Sequence, residues 1–197
     1  MAKLLFQGHG SFRITTDNKS VIYVDPYVGE GYDIPADIIL VTHQHGDHNQ
    51  TGKPAKKSTC VIIQNQDALQ NGSYKSFDIG GVNIQAVPAY NSNHDRKQCV
   101  GYILAFDGIK LYAAGDTSTT KEMKDYTSMS IDYALLPTDG IYNMDEAEAS
   151  RCADLIGAKH AIPIHMVPGA LFDAKKAEAF TAKNRLIVKA GEEIELK

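Results

Sequence analysis

The chain has few cysteines and no recognisable pattern among them. Cys60, Cys99 and Cys152 are the only three in 197 residues, they are widely spaced, and no C-x-x-C pair occurs. An odd, scattered set provides no disulfide framework. Cys60 and Cys152 lie in apolar surroundings, which is typical of cysteines buried as small hydrophobic residues. The cysteine content therefore favours a reducing compartment.

The sequence also lacks a basic excess and any long apolar run. Its 20 lysines and arginines face 24 aspartates and glutamates, giving a net charge of -4. This balance argues against a general binder of nucleic acids or of acidic membranes. No run could span a bilayer, and residues 1–6 contain no apolar stretch of signal-peptide length. We therefore expect a cytoplasmic protein without nucleic-acid or membrane partners, whose oligomeric state the sequence does not indicate.

No stretch rich in proline, glycine or serine marks a boundary, so we expect residues 1–197 to form a single domain. The first two thirds are mostly strand-like, and the clearest helix, 145–156, has Asn143 or Asp145 as its cap and ends before Gly157. Shorter helices are predicted over 66–69, 121–126 and 173–182. Strands with interspersed helices predict an α/β layered domain. The predicted strands are 4–6, 12–15, 20–24, 38–41, 60–63, 82–87, 100–106, 110–113, 133–136, 161–164, 185–188 and 194–196.

Three of the seven histidines lie within six residues, in the segment His43-Gln44-His45-Gly46-Asp47-His48. Imidazole nitrogens and a carboxylate oxygen are the ligands that zinc and similar divalent ions prefer. The apolar run before the segment predicts a buried strand that ends in a loop. In an extended chain His43 and His45 point the same way, while Asp47 and His48 can reach a second ion. A polar loop with incidental histidines is the alternative, and the alternation at a strand end argues against it.

Three more candidate ligands follow predicted strands elsewhere in the chain. His94 comes after the strand ending near Val87, Asp116 after 110–113, and His165 after 161–164. Each is a weak signal alone, because single histidines and Gly-Asp-Thr turns are common without a function. Together they complete two sets with one bridge: His43, His45 and His94 for one ion, Asp47, His48 and His165 for another, and Asp116 between them.

The sequence resembles the metallo-β-lactamase superfamily, whose signature H-x-H-x-D-H is matched by residues 43–48. His94, Asp116 and His165 match the order and approximate spacing of the later ligands, and the resemblance covers nearly the whole chain. It implies an αββα four-layer sandwich with the site at one edge of two packed sheets. Four other segments are similar to the subgroup that includes ascorbate-phosphate lactonase and many metal-dependent hydrolases: residues 8–12, 23–27, 87–91 and 144–147.

Details of the motif narrow the expected chemistry within this superfamily. Flavodiiron members carry a glutamate in place of the second histidine, so His45 favours hydrolysis over iron redox chemistry. His48 and the lack of a signal peptide argue against antibiotic hydrolysis. The chain is too short for the ribonucleases with large added domains, and it shows no RNA-gripping arm of the tRNA-processing type.

The ligand set and the resemblance predict a binuclear metal-dependent hydrolase. Two divalent ions, zinc first with manganese and iron as alternatives, would share a hydroxide that attacks an ester, lactone or phosphodiester bond of a small substrate. Asp116 would bridge the ions, and the second ion, or Asp47 if it is loosely bound, would assist the leaving group. The alternative is a sensor that holds metal or a metabolite without turnover, against which the intact ligand set argues.

Four further residues are candidates for supporting roles. Asp25 could accept a hydrogen bond from a ligand histidine, although Asp-Pro is also a plain strand terminator. His9 could reach the pocket or simply support its glycine turn, and the subgroup likeness favours the pocket. Asp139 could line the pocket or form the turn in which it lies. Arg96, with Lys97 beside it, is the best candidate to grip an anionic substrate.

Overall fold

The computed structural model describes residues 1–197, whose main elements are two six-stranded sheets. The first sheet is built mainly from the N-terminal strands β1 (Lys3–Gly8), β2 (Ser11–Thr15), β3 (Val21–Val24), β4 (Ala36–Leu40) and β5 (Lys56–Ile63). A small hairpin of β6 (Leu69–Gln70) and β7 (Ser73–Tyr74) follows. The second sheet contains β8 (Ser76–Ile79), β9 (Val82–Pro88), β10 (Val100–Phe106), β11 (Ile109–Ala113), β12 (Tyr133–Pro137) and β13 (His160–Ile164). The last strand, β14 (Glu193–Glu195), returns to the first sheet beside β1.

The helices are few, and none is long and apolar enough to cross a membrane. Asp145 caps the longest one by accepting a hydrogen bond from the Glu148 amide, and Gly157 ends it in a left-handed conformation. The helical elements are α1 (Asn65–Ala68), a 3₁₀ helix (Lys121–Met129), α2 (Glu146–Ile156) and α3 (Ala174–Ala179).

The main core lies between the two sheets. Alternate residues of β1, such as Leu4 and Phe6, pack there with alternate residues of β10, such as Tyr102 and Leu104. A second cluster lies on the other face of the second sheet, against α2 and the 3₁₀ helix. The outer face of the first sheet has a smaller apolar layer. There Tyr32 packs on a cluster of four buried residues. The predicted mixed α/β class, with two large packed sheets, is confirmed.

At the level of single strands, one sequence prediction fails and one strand of the second sheet is not predicted. The prediction of a strand over 185–188 is wrong: only Arg185 makes an isolated bridge, to Ala161. The edge strand β8 escapes prediction because its sequence, Ser-Phe-Asp-Ile, is short and half exposed, so it carries little apolar signal. It forms a strand because it pairs with β9, and its own composition gives no strong preference for one.

The sheet topology brings the candidate residues to one edge of the sandwich. In the first sheet β3, β4 and β5 run parallel, and in the second β11, β12 and β13 do the same. The carboxyl ends of parallel strands meet at one edge, where loops can carry polar side chains. Two hydrogen bonds join the sheets there: the Tyr102 hydroxyl donates to the Val41 carbonyl, and the Val100 amide donates to the Thr42 carbonyl, both at 3.0 Å.

Gly115 allows the second sheet to approach the first at this edge. Its φ is +64°, and a Cβ atom there would lie 2.9 Å from the Thr42 side chain and 3.0 Å from the Val100 carbonyl oxygen. We expect Gly115→Ala to destabilise the fold by the left-handed backbone cost of about 1–2 kcal/mol and a further overpacking cost of about 1–3 kcal/mol. Urea unfolding measures the loss.

Gly108→Ala is the matched control for this substitution. Gly108 has a φ of +76° in the β10–β11 turn, and a Cβ atom added there would meet no other atom within 4 Å. It therefore carries the backbone cost without the steric one. Equal losses of stability in the two variants would show that the contact with Thr42 is not tight.

Candidate metal centre

Two groups of side chains converge at the edge where the strands end. In the first group, the ligand atoms of His43, His45 and His94 all lie within 4.8 Å of one another. His43 Nε2 and His45 Nδ1 are only 3.1 Å apart. His43 and His45 follow β4, whereas His94 follows β9 of the second sheet. This group therefore draws on both sheets.

The second group contains His9, Asp47, His48 and His165, whose ligand atoms also lie within 4.8 Å of one another. His9 follows β1 and His165 follows β13. His9, His48 and His165 are buried, while the Asp47 side chain is 35% exposed. Asp47 is thus the member of this group that a molecule arriving from solvent would meet.

Asp116 lies between the two groups, with one carboxylate oxygen toward each. Its Oδ2 is 3.2 Å from His94 Nε2 and 3.9 Å from His43 Nε2. Its Oδ1 is 3.4 Å from His48 Nε2 and 3.6 Å from His165 Nε2. The side chain is almost fully buried. A single carboxylate therefore faces four imidazoles.

A hydrogen-bonded chain through Asp25 fixes the tautomers of two histidines. Asp25 Oδ2 accepts from the Thr42 hydroxyl at 2.7 Å and from His48 Nδ1 at 2.9 Å, and Oδ1 accepts from the Thr42 amide. Since the Thr42 hydroxyl hydrogen is used on Asp25, its oxygen accepts from His43 Nδ1 at 3.0 Å. Both rings carry a proton on Nδ1, so Nε2 is in each case the nitrogen that faces Asp116.

The other two histidines around Asp116 are oriented in the same way. His94 Nδ1 donates to Asn91 Oδ1 at 3.0 Å. His165 Nδ1 faces Asp139 Oδ2 at 3.1 Å, although without the alignment of a regular hydrogen bond. In each ring one nitrogen faces an oxygen acceptor and the other points into the cluster. Such partners set ring orientation and basicity in metal sites.

His9 belongs to the centre rather than to the turn alone. Its Nε2 lies 3.1 Å from Asp47 Oδ2, and its Nδ1 lies 3.3 Å from the Ala170 carbonyl oxygen. Its ring packs on that of His165, with centroids 3.8 Å apart. His9 thus holds Asp47 from the side opposite to solvent.

Three residues of the centre have left-handed backbone conformations. The φ angles of His9, Asp25 and His165 are +56°, +46° and +47°. Each is held by backbone hydrogen bonds, including one from the His165 amide to the His9 carbonyl at 2.8 Å. Strained conformations of this kind persist where surrounding structure enforces them, and they are concentrated at functional sites.

The carboxylates of the centre are ionised, and its imidazoles differ in protonation. Burial would raise the pKa of Asp47 and of Asp116, but the histidines around them lower both pKa values below the usual range. Burial lowers the pKa of His43 to about 2. Burial acts in the same direction on His165, but Asp116, Asp139 and Asp47 outweigh it and raise the pKa of His165 to about 10.

The buried polar atoms of this cluster fit a divalent cation. His48 Nε2, His165 Nε2 and Asp116 Oδ1 are buried without a hydrogen-bond partner. Buried polar atoms are rarely left unpaired unless another group satisfies them. The donors are imidazole nitrogens and carboxylate oxygens with no thiolate, a set that suits zinc, manganese and iron. The cluster is therefore able to bind metal.

Other predicted and unpredicted residues take definite places around the centre. Asp139 accepts hydrogen bonds from the amides of three residues in the loop that follows it. Arg96 is held outside the centre, paired with Glu122 at 2.8 Å and placed over the Tyr90 ring. Sequence reasoning missed several neighbours whose roles depend on distant partners: Thr42, Asn91, Asn93, Tyr142 and Pro168.

Comparison with known proteins agrees with this geometry. The profile of a β-lactamase superfamily domain matches residues 3–165. A UPF0173 metal-dependent hydrolase of Pyrococcus furiosus is 32% identical over 227 aligned positions that cover 100% of both chains. The corresponding protein of Thermococcus onnurineus is 31% identical over 84% of each chain.

Solved structures show the same fold. A protein of Parabacteroides distasonis assigned as a metal-dependent hydrolase is 34% identical, with a TM-score of 0.76 over 95% of this chain and 92% of its own. The metallo hydrolase Igni18 of Ignicoccus hospitalis has a TM-score of 0.75 at 22% identity, over 100% of this chain and 99% of its own, a likeness of fold alone. The narrower likeness to ascorbate-phosphate lactonase stays a prediction. The chain belongs to the metallo-β-lactamase superfamily and is a metal-dependent hydrolase.

Proposed function

We propose that the protein is a binuclear hydrolase that cleaves an ester, lactone or phosphodiester bond of a small molecule. One divalent ion would be held by His43, His45 and His94, and the other by Asp47, His48 and His165. The observation that carries the proposal is the position of Asp116, whose two oxygens face the two histidine groups separately. A carboxylate in that position suits a bridge between two ions.

When bound, such a pair of ions activates water near neutral pH and polarises the bond to be cleaved. The chain's own contribution is to hold the ligands in place and to give the substrate access. Asp47 and the exposed His45 border an open cavity of about 330 Å³. Because its pKa is lowered, Asp47 stays ionised, which favours a role as ligand over one as proton donor.

Zinc is our first choice of metal because the donors of the cluster are imidazole nitrogens and carboxylate oxygens. Manganese and iron suit the same donors, so metal analysis has to decide among them. A cytoplasmic location is also proposed, supported by three cysteines that stay apart as free thiols.

Metal analysis tests the number of ions. Protein purified without chelator is expected to contain about two equivalents of divalent metal, measured by elemental mass spectrometry. His45→Ala and Asp116→Ala should each lose at least one equivalent, because each removes a ligand that the proposed pair requires. Both variants should also lose hydrolysis of p-nitrophenyl esters, lactones and bis-p-nitrophenyl phosphate.

His160→Ala is the matched control, since His160 stacks on Tyr133 outside the cluster. It should keep the metal content and the activity of the unchanged protein. One equivalent or less in the unchanged protein would contradict the binuclear proposal. Two equivalents without any hydrolysis, together with binding of a metabolite, would favour a sensor instead.

Asp25→Asn tests whether the Asp25 carboxylate holds the histidines of the centre in place. The side-chain amide has one acceptor oxygen, so it cannot accept at one atom from the Thr42 amide and at the other from the Thr42 hydroxyl and His48 Nδ1. At least one of these hydrogen bonds is lost, and the His48 ring is held less firmly. We expect metal affinity to fall by about 10–100-fold, measured by competition with a chelating dye. Asp37→Asn, which removes a carboxylate paired with Lys57 away from the centre, is the control. Unchanged affinity in Asp25→Asn would exclude a supporting role.

Metal binding is expected to release protons. The raised pKa of His165, about 10, means that the metal-free ring is protonated at pH 7 and gives up its Nε2 proton to bind an ion. Apparent affinity should therefore fall as the pH is lowered and rise as the pH approaches 10. Calorimetric titrations in buffers of different ionisation enthalpy should show at least one proton released. Heats that do not depend on the buffer would contradict this.

A further inference from the structure

The cavity above the metal ligands is lined by no lysine or arginine. Its volume is about 330 Å³, and its lining residues are His45, Asp47, Asn93, His94, Asp116, Tyr142, His165 and Pro168. Its titratable side chains, which are Asp47, Asp116 and the three histidines, all belong to the proposed metal ligands. Sites that recognise a phosphate or carboxylate substituent usually supply arginine or lysine for it.

Two cationic side chains on neighbouring segments are already paired with carboxylates. Lys176 pairs with Glu146 at 2.9 Å and donates to the carbonyls of Thr138 and Asp139, behind the loop that carries Tyr142. Arg96 is neutralised by Glu122, and with Lys97 it lines a different cavity. An anionic substituent that lies away from the metal ligands would thus find no free lysine or arginine in the cavity.

Apolar side chains instead lie in the two loops beside the cavity. Ile141 and Tyr142, in the loop after β12, are 64% and 51% exposed, and Leu171, in the loop after β13, is 45% exposed. Tyr142 and Pro168 contribute to the cavity wall itself. Scattered exposed apolar residues are ordinary, but a group of them beside a concave site indicates a ligand surface.

The loop that presents Tyr142 is held firmly. Asp139 Oδ1 accepts from the amides of Ile141 and Tyr142 at 2.7 and 2.6 Å. The Tyr142 carbonyl accepts from the side-chain amides of Asn91 and Asn93 at 2.8 and 3.2 Å. A wall fixed before binding lowers the entropic cost of holding a ligand.

We propose that the substrate is a small uncharged ester or lactone whose apolar substituent lies against Tyr142, rather than one carrying a phosphate or carboxylate away from the bond to be cleaved. This inference rests on the hydrolytic function proposed above and specifies its substrate. A positive charge added to the loop after β12 should then favour substrates with an anionic substituent.

Two esters with a common leaving group test the preference in the metal-loaded protein. One is p-nitrophenyl hexanoate, and the other is the p-nitrophenyl monoester of glutaric acid, which has a similar length but ends in a carboxylate. We expect kcat/KM to be at least tenfold higher for the hexanoate. Equal values, or a higher value for the glutarate monoester, would overturn the proposal.

Variants of the loop after β12 test whether this loop causes the preference for the uncharged ester. Tyr142→Ala should raise KM for the hexanoate at least fivefold with kcat nearly unchanged, while Tyr142→Phe keeps both values. Ile141→Arg should raise kcat/KM for the glutarate monoester at least fivefold and lower it for the hexanoate. Leu155→Ala and Leu155→Arg, at an exposed apolar position on α2, are the controls and should change neither ester.

The outcomes separate this inference from the function on which it rests. Hydrolysis of both esters without the preference, or with a preference unaffected by Tyr142→Ala and Ile141→Arg, refutes the substrate class and leaves the hydrolase standing. Failure to cleave any ester, lactone or phosphodiester at full metal content refutes the hydrolytic function, and the substrate class falls with it.

Discussion

The burial of the Asp116 carboxylate is the interaction on which the rest of the centre depends. A desolvated negative charge is costly unless positive charge surrounds it. Here four imidazoles approach it within 4 Å, from elements of both sheets. Protonated rings compensate it in part, and the proposed divalent ions would compensate it further. The need to compensate this one charge explains why so many histidines gather at one edge of the fold.

The histidine rings of the centre must also be held in fixed orientations. Hydrogen bonds within the loops hold them, because the rings lie beyond the ends of the strands. Asp25 and Asp139 act similarly in the two sheets: each follows a central strand, and each faces the Nδ1 atom of a ligand histidine. Asp139 also holds the loop that carries Tyr142. The same carboxylate therefore supports both a metal ligand and a wall of the cavity, which links the metal chemistry to the shape of the substrate site.

Much of this could be predicted from the sequence because the signals are local. The apolar strands, the segment at 43–48 and the positions of His94, Asp116 and His165 after strands are all visible without a structure. What could not be predicted depends on distant partners. Nothing near Arg96 indicates that Glu122 neutralises it, and nothing near Thr42 indicates that its hydroxyl joins Asp25 to His43. The strand predicted at 185–188 failed for the same reason, since an apolar run becomes a strand only if a neighbour pairs with it.

The origin of the ligands in both sheets has a consequence for folding. Residues 43–48 are the only close-spaced ligands along the chain, so an unfolded molecule offers a metal ion little more than that segment. His94, Asp116 and His165 reach it only after the two halves of the sandwich have docked. An ion that binds the docked state in preference to the open chain stabilises the native protein by mass action. If the proposed ions bind, the supply of metal would therefore influence how much of the protein resists proteolysis, before any substrate is present.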